Sequence, residues 1–189
     1  MIVGVLAVQG SFAEHVQVLR GLVEEIRLVR SPEELEGLSG LVIPGGESTT
    51  IGDFLGKYGL AESIDDGLPI FGTCAGMILL AKKMVGKQKE GQSLLKKMDI
   101  TVERNAYGRQ TESFEAGVKL DWDARPYPGV FIRAPRITKH AEDVKVLAWR
   151  GDTAVLVRQG KYLACSFHPE LTDDDRIHRY FIEEVVKND

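Results

Sequence analysis

Short apolar runs alternate with amphipathic stretches through the first half of the chain. Ile2 to Val8 is a continuous apolar run of strand length, the pattern of a strand covered on both faces. Gln9-Gly10 reads as a turn. Ser11 with Glu14 three residues on predicts a capping box, and Phe12, Val16, Leu19 and Val23 keep helical spacing behind it. Ile26 to Val29 predicts a second strand. Ser31-Pro32-Glu33-Glu34 repeats the cap signal, with proline at the first helical position. Leu41 to Ile43 predicts a third strand that ends at Pro44-Gly45-Gly46. Thr49 to Tyr58 predicts a helix stopped by Gly59, Leu68 to Phe71 a fourth strand, and Ala75 to Met84 a further helix. Such strand–helix alternation predicts a parallel sheet with helices on both faces.

The pattern changes from Ile100 onward. Ile100 to Glu103, Phe114 to Leu120, Val130 to Ile132, Val144 to Trp149, Ala154 to Val157 and Tyr162 to Phe167 read as strands. The short Gly151-Asp152 and Gln159-Gly160 connections predict antiparallel hairpins. Asp173-Asp174-Asp175 opens a last helix, whose apolar face is Ile177, Phe181 and Val185. The expected fold is therefore α/β: one three-layer domain over residues 1–189, its central sheet mostly parallel, with antiparallel strands in the C-terminal half.

Composition narrows the class. Hydrophobic residues at 43% support a sizeable core. Lys and Arg number 24 against 28 Asp and Glu, a net charge of −4, so nothing marks a nucleic-acid binder. The N-terminal apolar run lacks a basic flank and the length of a membrane span, which predicts neither a signal peptide nor a membrane anchor. The only cysteines, Cys74 and Cys165, each sit in apolar surroundings. They suggest neither a disulfide framework nor a zinc site, and a cytoplasmic, reducing compartment fits them.

Candidate chemistry centres on Cys74, in Phe71-Gly72-Thr73-Cys74-Ala75-Gly76. A strand enters and a helix leaves, with small residues at Gly72 and Gly76 leaving room for a sharp turn. That is the geometry of a nucleophile elbow with sulfur in place of oxygen, where the helix N-terminus favours thiolate. A lone cysteine is more often a small core residue, and the Gly-x-Cys-x-Gly setting is what shifts the balance. The Ala75 N–H is placed to meet an oxyanion beside the sulfur. His168 and Glu170 flank Pro169. On extended chain, residues two apart face the same way, which suits a base and its orienting carboxylate. Gly45-Gly46-Glu47-Ser48 follows the third strand, where two glycines let backbone approach a ligand. Ser48 is the expected cap of the next helix.

Together these segments resemble the class I glutamine amidotransferases. The chain is most similar to the PdxT/SNO family, the glutaminase subunits of pyridoxal 5′-phosphate synthase. The resemblance is carried by Gly4-Val5-Leu6-Ala7-Val8-Gln9-Gly10, Pro44-Gly45-Gly46-Glu47-Ser48-Thr49-Thr50, Thr73-Cys74-Ala75-Gly76, Glu103-Arg104-Asn105-Ala106-Tyr107-Gly108-Arg109-Gln110, Phe131-Ile132-Arg133-Ala134-Pro135 and Phe167-His168-Pro169-Glu170-Leu171. Ala7 departs from a frequent glycine. The resemblance implies a flavodoxin-like fold and a Cys74, His168, Glu170 triad that hydrolyses L-glutamine through a thioester. It implies an oxyanion hole at Gly46 and Ala75, and substrate contacts at Gly46, Glu47, Ser48, Arg104, Ile132 and Arg133. Arg104 is the carboxylate clamp, and Ile132 and Arg133 act largely through backbone. No cofactor and no metal are implied. The implied partner is a barrel-shaped synthase subunit of the PdxS type that receives ammonia, with no role for nucleic acid or membrane. Poor basal activity is expected until that partner docks, with Gln9 relaying docking to the Gly45-Gly46 turn.

Other residues read more plainly. His15 and His140 suggest surface or helix positions, His178 packing, and Cys165 core. The basic stretch from Lys82-Lys83 to Lys97 suggests a solvated helix face or loop. Two competing readings stay open: a protease-like member of the same fold, and a non-catalytic scaffold subunit. The His168-Pro169-Glu170 pairing with Gly45-Gly46-Glu47-Ser48 argues against the first, and an intact triad against the second.

Overall fold

The computed structural model describes residues 1–86, 93–104 and 113–188. Asn105 to Gln110 of the sequence motif therefore lie outside the described residues. In chain order the elements are β1 (Ile2–Leu6), α1 (Phe12–Leu19), β2 (Glu25–Val29), a 3-10 turn (Pro32–Leu35), β3 (Gly40–Ile43), α2 (Ser48–Lys57), α3 (Leu60–Ser63), β4 (Ile70–Thr73), α4 (Ala75–Leu80) and β5 (Ala81–Val85). There follow β6 (Met98–Glu103), β7 (Ser113–Leu120), β8 (Tyr127–Ile132), β9 (Arg136–His140), β10 (Lys145–Arg150), β11 (Thr153–Gln159), β12 (Tyr162–Cys165), a 3-10 turn (Pro169–Leu171), α5 (Arg176–Tyr180) and a π-helical continuation (Phe181–Val186).

Among the described residues the main sheet runs β2-β1-β3-β4-β12-β11-β10-β7-β8. The first five strands are mutually parallel. Their order is that of a flavodoxin-like doubly wound sheet. From β12 to β8 every pairing is antiparallel. The hairpins around Gly151 and Gly160 put both glycines at left-handed φ, 55° and 56°. The parallel half thus covers five of nine strands, and the later strands extend the same sheet.

The unbroken apolar strand sequences follow from burial on both faces. Along β3, Leu41 and Ile43 enter one core while Val42 enters the other; along β12, Leu163 and Cys165 face away from Ala164. One core lies under α2, α3, α4 and a separate β5-β6-β9 sheet. The opposite core lies under α1, α5 and the π-helical turn. None of the described helices is long and apolar enough to cross a membrane.

Local differences from the sequence pattern have local causes. The helix expected over Ala75 to Met84 ends at Leu80, and Ala81–Val85 becomes β5, which pairs in parallel with β6. Lys82 and Lys83 are accordingly exposed strand residues. β9 was not expected, since only Ile137 of its five residues is buried. The α2 cap is Glu47 rather than Ser48: its carboxylate accepts from the Thr49 and Thr50 N–H groups at 3.2 and 2.8 Å. The Ser11/Glu14 capping box does not form, because the Ser11 side chain makes no cap hydrogen bond and is engaged elsewhere.

Because β1, β3, β4 and β12 are parallel, their C-terminal ends open on one edge of the sheet. Gln9, Gly45-Gly46, Cys74 and His168 follow those four ends. That edge is where ligands bind in open α/β sheets.

Candidate active site

Cys74 sits between β4 and α4 with φ 48° and ψ −100°, a backbone conformation that β-carbon sterics disfavour. Two contacts hold the strained turn. The Cys74 N–H donates to the Cys165 carbonyl at 2.8 Å, tying the elbow to β12. Gly76 lets α4 start against β3, since a β-carbon there would lie 2.1 Å from the Ile43 carbonyl oxygen.

His168 follows β12, and its N–H donates to the Val130 carbonyl at 2.8 Å. On one side its ring and the Cys74 β-carbon both face Gly45. On the other, Nδ1 lies 2.7 Å from Glu170 Oε1. This juxtaposition arises from the 3-10 turn at Pro169–Leu171, not from the extended chain expected: the turn brings Glu170 back beneath the ring. Gly45 packs against the same ring; a β-carbon there would lie 2.4 Å from His168 Cε1.

The charges are coupled. Burial opposes a charge on His168, but its neighbours Cys74 and Glu170 outweigh it and raise the imidazole to about 10. Burial likewise opposes charge on Glu170, yet its carboxyl is held down at about 2, with His168 and the Ser11 hydroxyl both bonded to Oε1. The His168 ring thus faces the cleft with Cys74 and has the Glu170 carboxylate bonded behind it. Cys165 differs: it is fully buried, burial pushes its thiol well up, and its sulfur lies 3.3 Å from the Phe167 carbonyl oxygen.

Above Cys74 is a cleft of about 240 Å³, lined by Gln9, Gly46, Glu47, Ser48, Cys74, Ala75, Ile78, Arg104, Ile132, Arg133 and His168. All six residues expected to contact substrate line it, and Glu170 stands behind His168. The Ile132 carbonyl oxygen lies 3.9 Å from the Cys74 sulfur. Arg133, at φ 43°, is a second strained position on the cleft wall. Arg104 Nη2 lies 3.0 Å from Glu47 Oε1, and Nη1 donates to Thr49 Oγ1 at 3.3 Å. Gln9 Oε1 accepts from the Glu47 N–H at 2.7 Å. Two larger depressions, about 620 and 390 Å³, adjoin Leu171 to Asp175 and contain no cysteine or histidine, so volume does not mark the reactive cleft.

Sequence reasoning missed the ring behind the carboxylate. His15 lies on helix α1, one of the two positions expected for it, but is fully buried and bonded to Thr73 and His178. His178 is fully buried as expected, but packs as a hydrogen-bonded ring rather than an apolar filler. Ser11 Oγ donates to Glu170 Oε1. The signal for His15 was its place between Phe12 and Leu19 on one helical face.

Comparison with known proteins gives a consistent result. The profile of the SNO glutamine amidotransferase family matches residues 5–187. A pyridoxal 5′-phosphate synthase subunit PdxT of Pelotomaculum thermopropionicum is 54% identical over 192 residues, covering 99% of this chain and 96% of that protein. A PdxT subunit of Geobacillus kaustophilus is 50% identical, covering 98% and 95%. A crystal structure of a glutamine amidotransferase superposes with a TM-score of 0.91 at 51% identity, covering 98% of this chain and 99% of that one.

Proposed function

The chain belongs to the SNO glutamine amidotransferase family, and from that premise we propose that it is the glutaminase subunit of a pyridoxal 5′-phosphate synthase. The observation that carries the mechanism is the placing of Cys74 and His168 in one cleft on the sheet edge, with Glu170 bonded to His168 from behind.

In this reading the Cys74 sulfur attacks the side-chain amide carbon of L-glutamine. His168, as an imidazolium already holding the proton given up by sulfur, delivers it to the amide nitrogen, so that ammonia leaves and a γ-glutamyl thioester remains. Water then attacks the thioester; His168 takes a proton from that water and returns it to sulfur as glutamate departs. Glu170 fixes the ring and offsets the imidazolium charge. The Ala75 N–H and the Gly46 N–H receive the two oxyanions, and losing one such donor costs ~10²–10³ in rate. Arg104 takes the α-carboxylate, which its planar fork suits. Glu47, Ser48 and the backbone of Ile132 and Arg133 complete the amino-acid site.

Ammonia released in water is lost, so the reading includes a PdxS-type synthase subunit as partner. Gln9, bonded to the N–H of Glu47, supports a relay from that partner to the Gly45-Gly46 turn. The test is ammonia and glutamate release from L-glutamine by wild type and Cys74→Ala, each with and without the synthase subunit. Turnover that requires Cys74 and rises with the synthase supports the proposal. A wild-type complex that leaves glutamine intact overturns it, and so does equal turnover by Cys74→Ala.

A further inference from the structure

Behind the candidate triad lies a second, fully buried set of polar groups that the proposed chemistry leaves unused. His15 projects from α1 and His178 from α5, and neither ring has any exposure. His15 Nδ1 lies 2.9 Å from His178 Nε2. His15 Nε2 lies 3.0 Å from Thr73 Oγ1 and 3.4 Å from Glu170 Oε2. The two carboxylate oxygens of Glu170 are treated unequally. Oε1 meets both His168 Nδ1 and the Ser11 hydroxyl. Oε2 is buried with no well-formed hydrogen bond among the described residues, and neither has His178 Nδ1. A buried carboxylate oxygen requires a donor.

Two tautomer arrangements are open to a neutral His15–His178 pair, because one hydrogen lies between the rings. If His15 Nδ1 carries it, the bare Nε2 lone pair of His15 faces a carboxylate oxygen, and the remaining N–H of His178 is buried without an acceptor. If His178 Nε2 carries it, the hydrogen of His15 is on Nε2, aimed at Thr73 and Glu170. His178 Nδ1 is then a bare acceptor, which costs less to bury unpaired than a donor. The second arrangement is better at both ends.

We infer that His15 is a positioning residue for the reaction: its Nε2–H, shared between Thr73 Oγ1 and Glu170 Oε2, anchors the far oxygen of the carboxylate, and His178 fixes the tautomer that puts the hydrogen there. The inference rests on the glutaminase reading for its effect on rate. A neutral donor suits this place. A charged His15 competes with His168 for the carboxylate, whereas a neutral N–H steadies Oε2 and leaves the negative charge to His168. Burial lowers both His15 and His178, His178 to about 3, which keeps the pair neutral. The other titratable groups facing this region are Glu14 on α1, Tyr127 on β8, Cys165 on β12 and His168 itself. Tyr127 and Cys165 are raised by burial and carry no charge at neutral pH.

The first test is histidine-resolved nitrogen NMR on the full-length wild-type chain at neutral pH. The expected result is a neutral His15 and a neutral His178, each with its hydrogen on Nε2. A hydrogen on His15 Nδ1, or an imidazolium at either position, overturns the inference. The second test is kinetic, in complex with the synthase subunit. His15→Leu should lower kcat for glutamine about tenfold with little change in KM, and should move the acidic limb of the kcat profile upward, because a carboxylate that loses a donor becomes more basic. His15→Gln, which restores an N–H at similar reach, should recover most of both. A folded His15→Leu complex with wild-type kcat and an unmoved acidic limb contradicts the inference. Should that variant fail to fold, the wild-type tautomers decide alone. Failure of the glutaminase reading is separately visible, as a wild-type complex that releases no ammonia; the tautomer measurement does not depend on it.

Discussion

Arg104 Nη2 lies 3.0 Å from Glu47 Oε1, so the residue that caps α2 also holds the guanidinium at the cleft. Arg104 stands just past β6 of the smaller sheet, and Glu47 follows β3 of the larger one; the ion pair joins the two sheets across the cleft. Burial works against the Glu47 charge, but the N–H and hydroxyl groups of Thr50 and Thr49 hold its carboxyl at about 2. The guanidinium thus faces a permanent anion and keeps a fixed orientation. Arg104→Lys retains the charge and loses the fork. KM for glutamine should rise about tenfold, ~1.4 kcal/mol, with kcat nearly unchanged. Steady-state kinetics with saturating synthase checks this, and an unchanged KM removes Arg104 from the carboxylate-binding role.

Gly45→Ala probes how tightly the imidazole is boxed in. The added methyl carbon would lie 2.4 Å from His168 Cε1 and 3.3 Å from Cys74 Cβ. Either the ring or the turn must shift. A displacement near 1 Å at reacting groups costs ~10² in rate. The expected outcome is a loss of that size in kcat while circular dichroism and the melting temperature stay near wild type. Full activity in this variant is incompatible with the described position of His168.

The Cys74 elbow could be read from the sequence because its steric requirement is local: Gly72 and Gly76 stand two residues either side of a cysteine between a strand and a helix. The His168–Glu170 pair was found for a reason that proved incomplete, since a 3-10 turn rather than an extended chain brings them together. What escaped reading depends on partners distant in sequence. Ser11 has a cap signature, yet a carboxylate 159 residues away takes its hydroxyl, and an ionised acceptor outcompetes a helix amide. His15 stays hidden because its partners, Thr73, Glu170 and His178, come from three other segments. β5 lacks a local stop signal before it, and its pairing with β6 is set by tertiary contact. β9 has a single buried residue, too few for a periodic pattern.

The buried histidines also set an acid sensitivity. His178 is lowered in the fold to about 3 by burial first, with His15 beside it also lowered. In the unfolded chain each protonates near its ordinary value, about 6.5. The unfolded state therefore binds more protons below that value, and stability falls as pH drops from about 6.5 toward 3. His168 acts in the other direction: raised to about 10, it contributes stability that is complete below about 6.5 and is lost as pH rises toward 10. His178→Gln keeps a donor for His15 and removes one titrating ring. Urea unfolding at about pH 7 and about pH 5 should show a smaller loss of stability in this variant than in wild type. An identical loss in both proteins means that His178 is not the group whose protonation drives the change.

The most direct measurement is the identity of the covalent intermediate. The wild-type chain, turning over L-glutamine with its synthase subunit, is quenched in acid and digested, and the peptides carrying Cys74 and Cys165 are weighed. The expected result is a γ-glutamyl adduct on the Cys74 peptide, absent from Cys74→Ala and never on Cys165. An adduct on Cys165, or ammonia release by Cys74→Ala at the wild-type rate, contradicts the central claim.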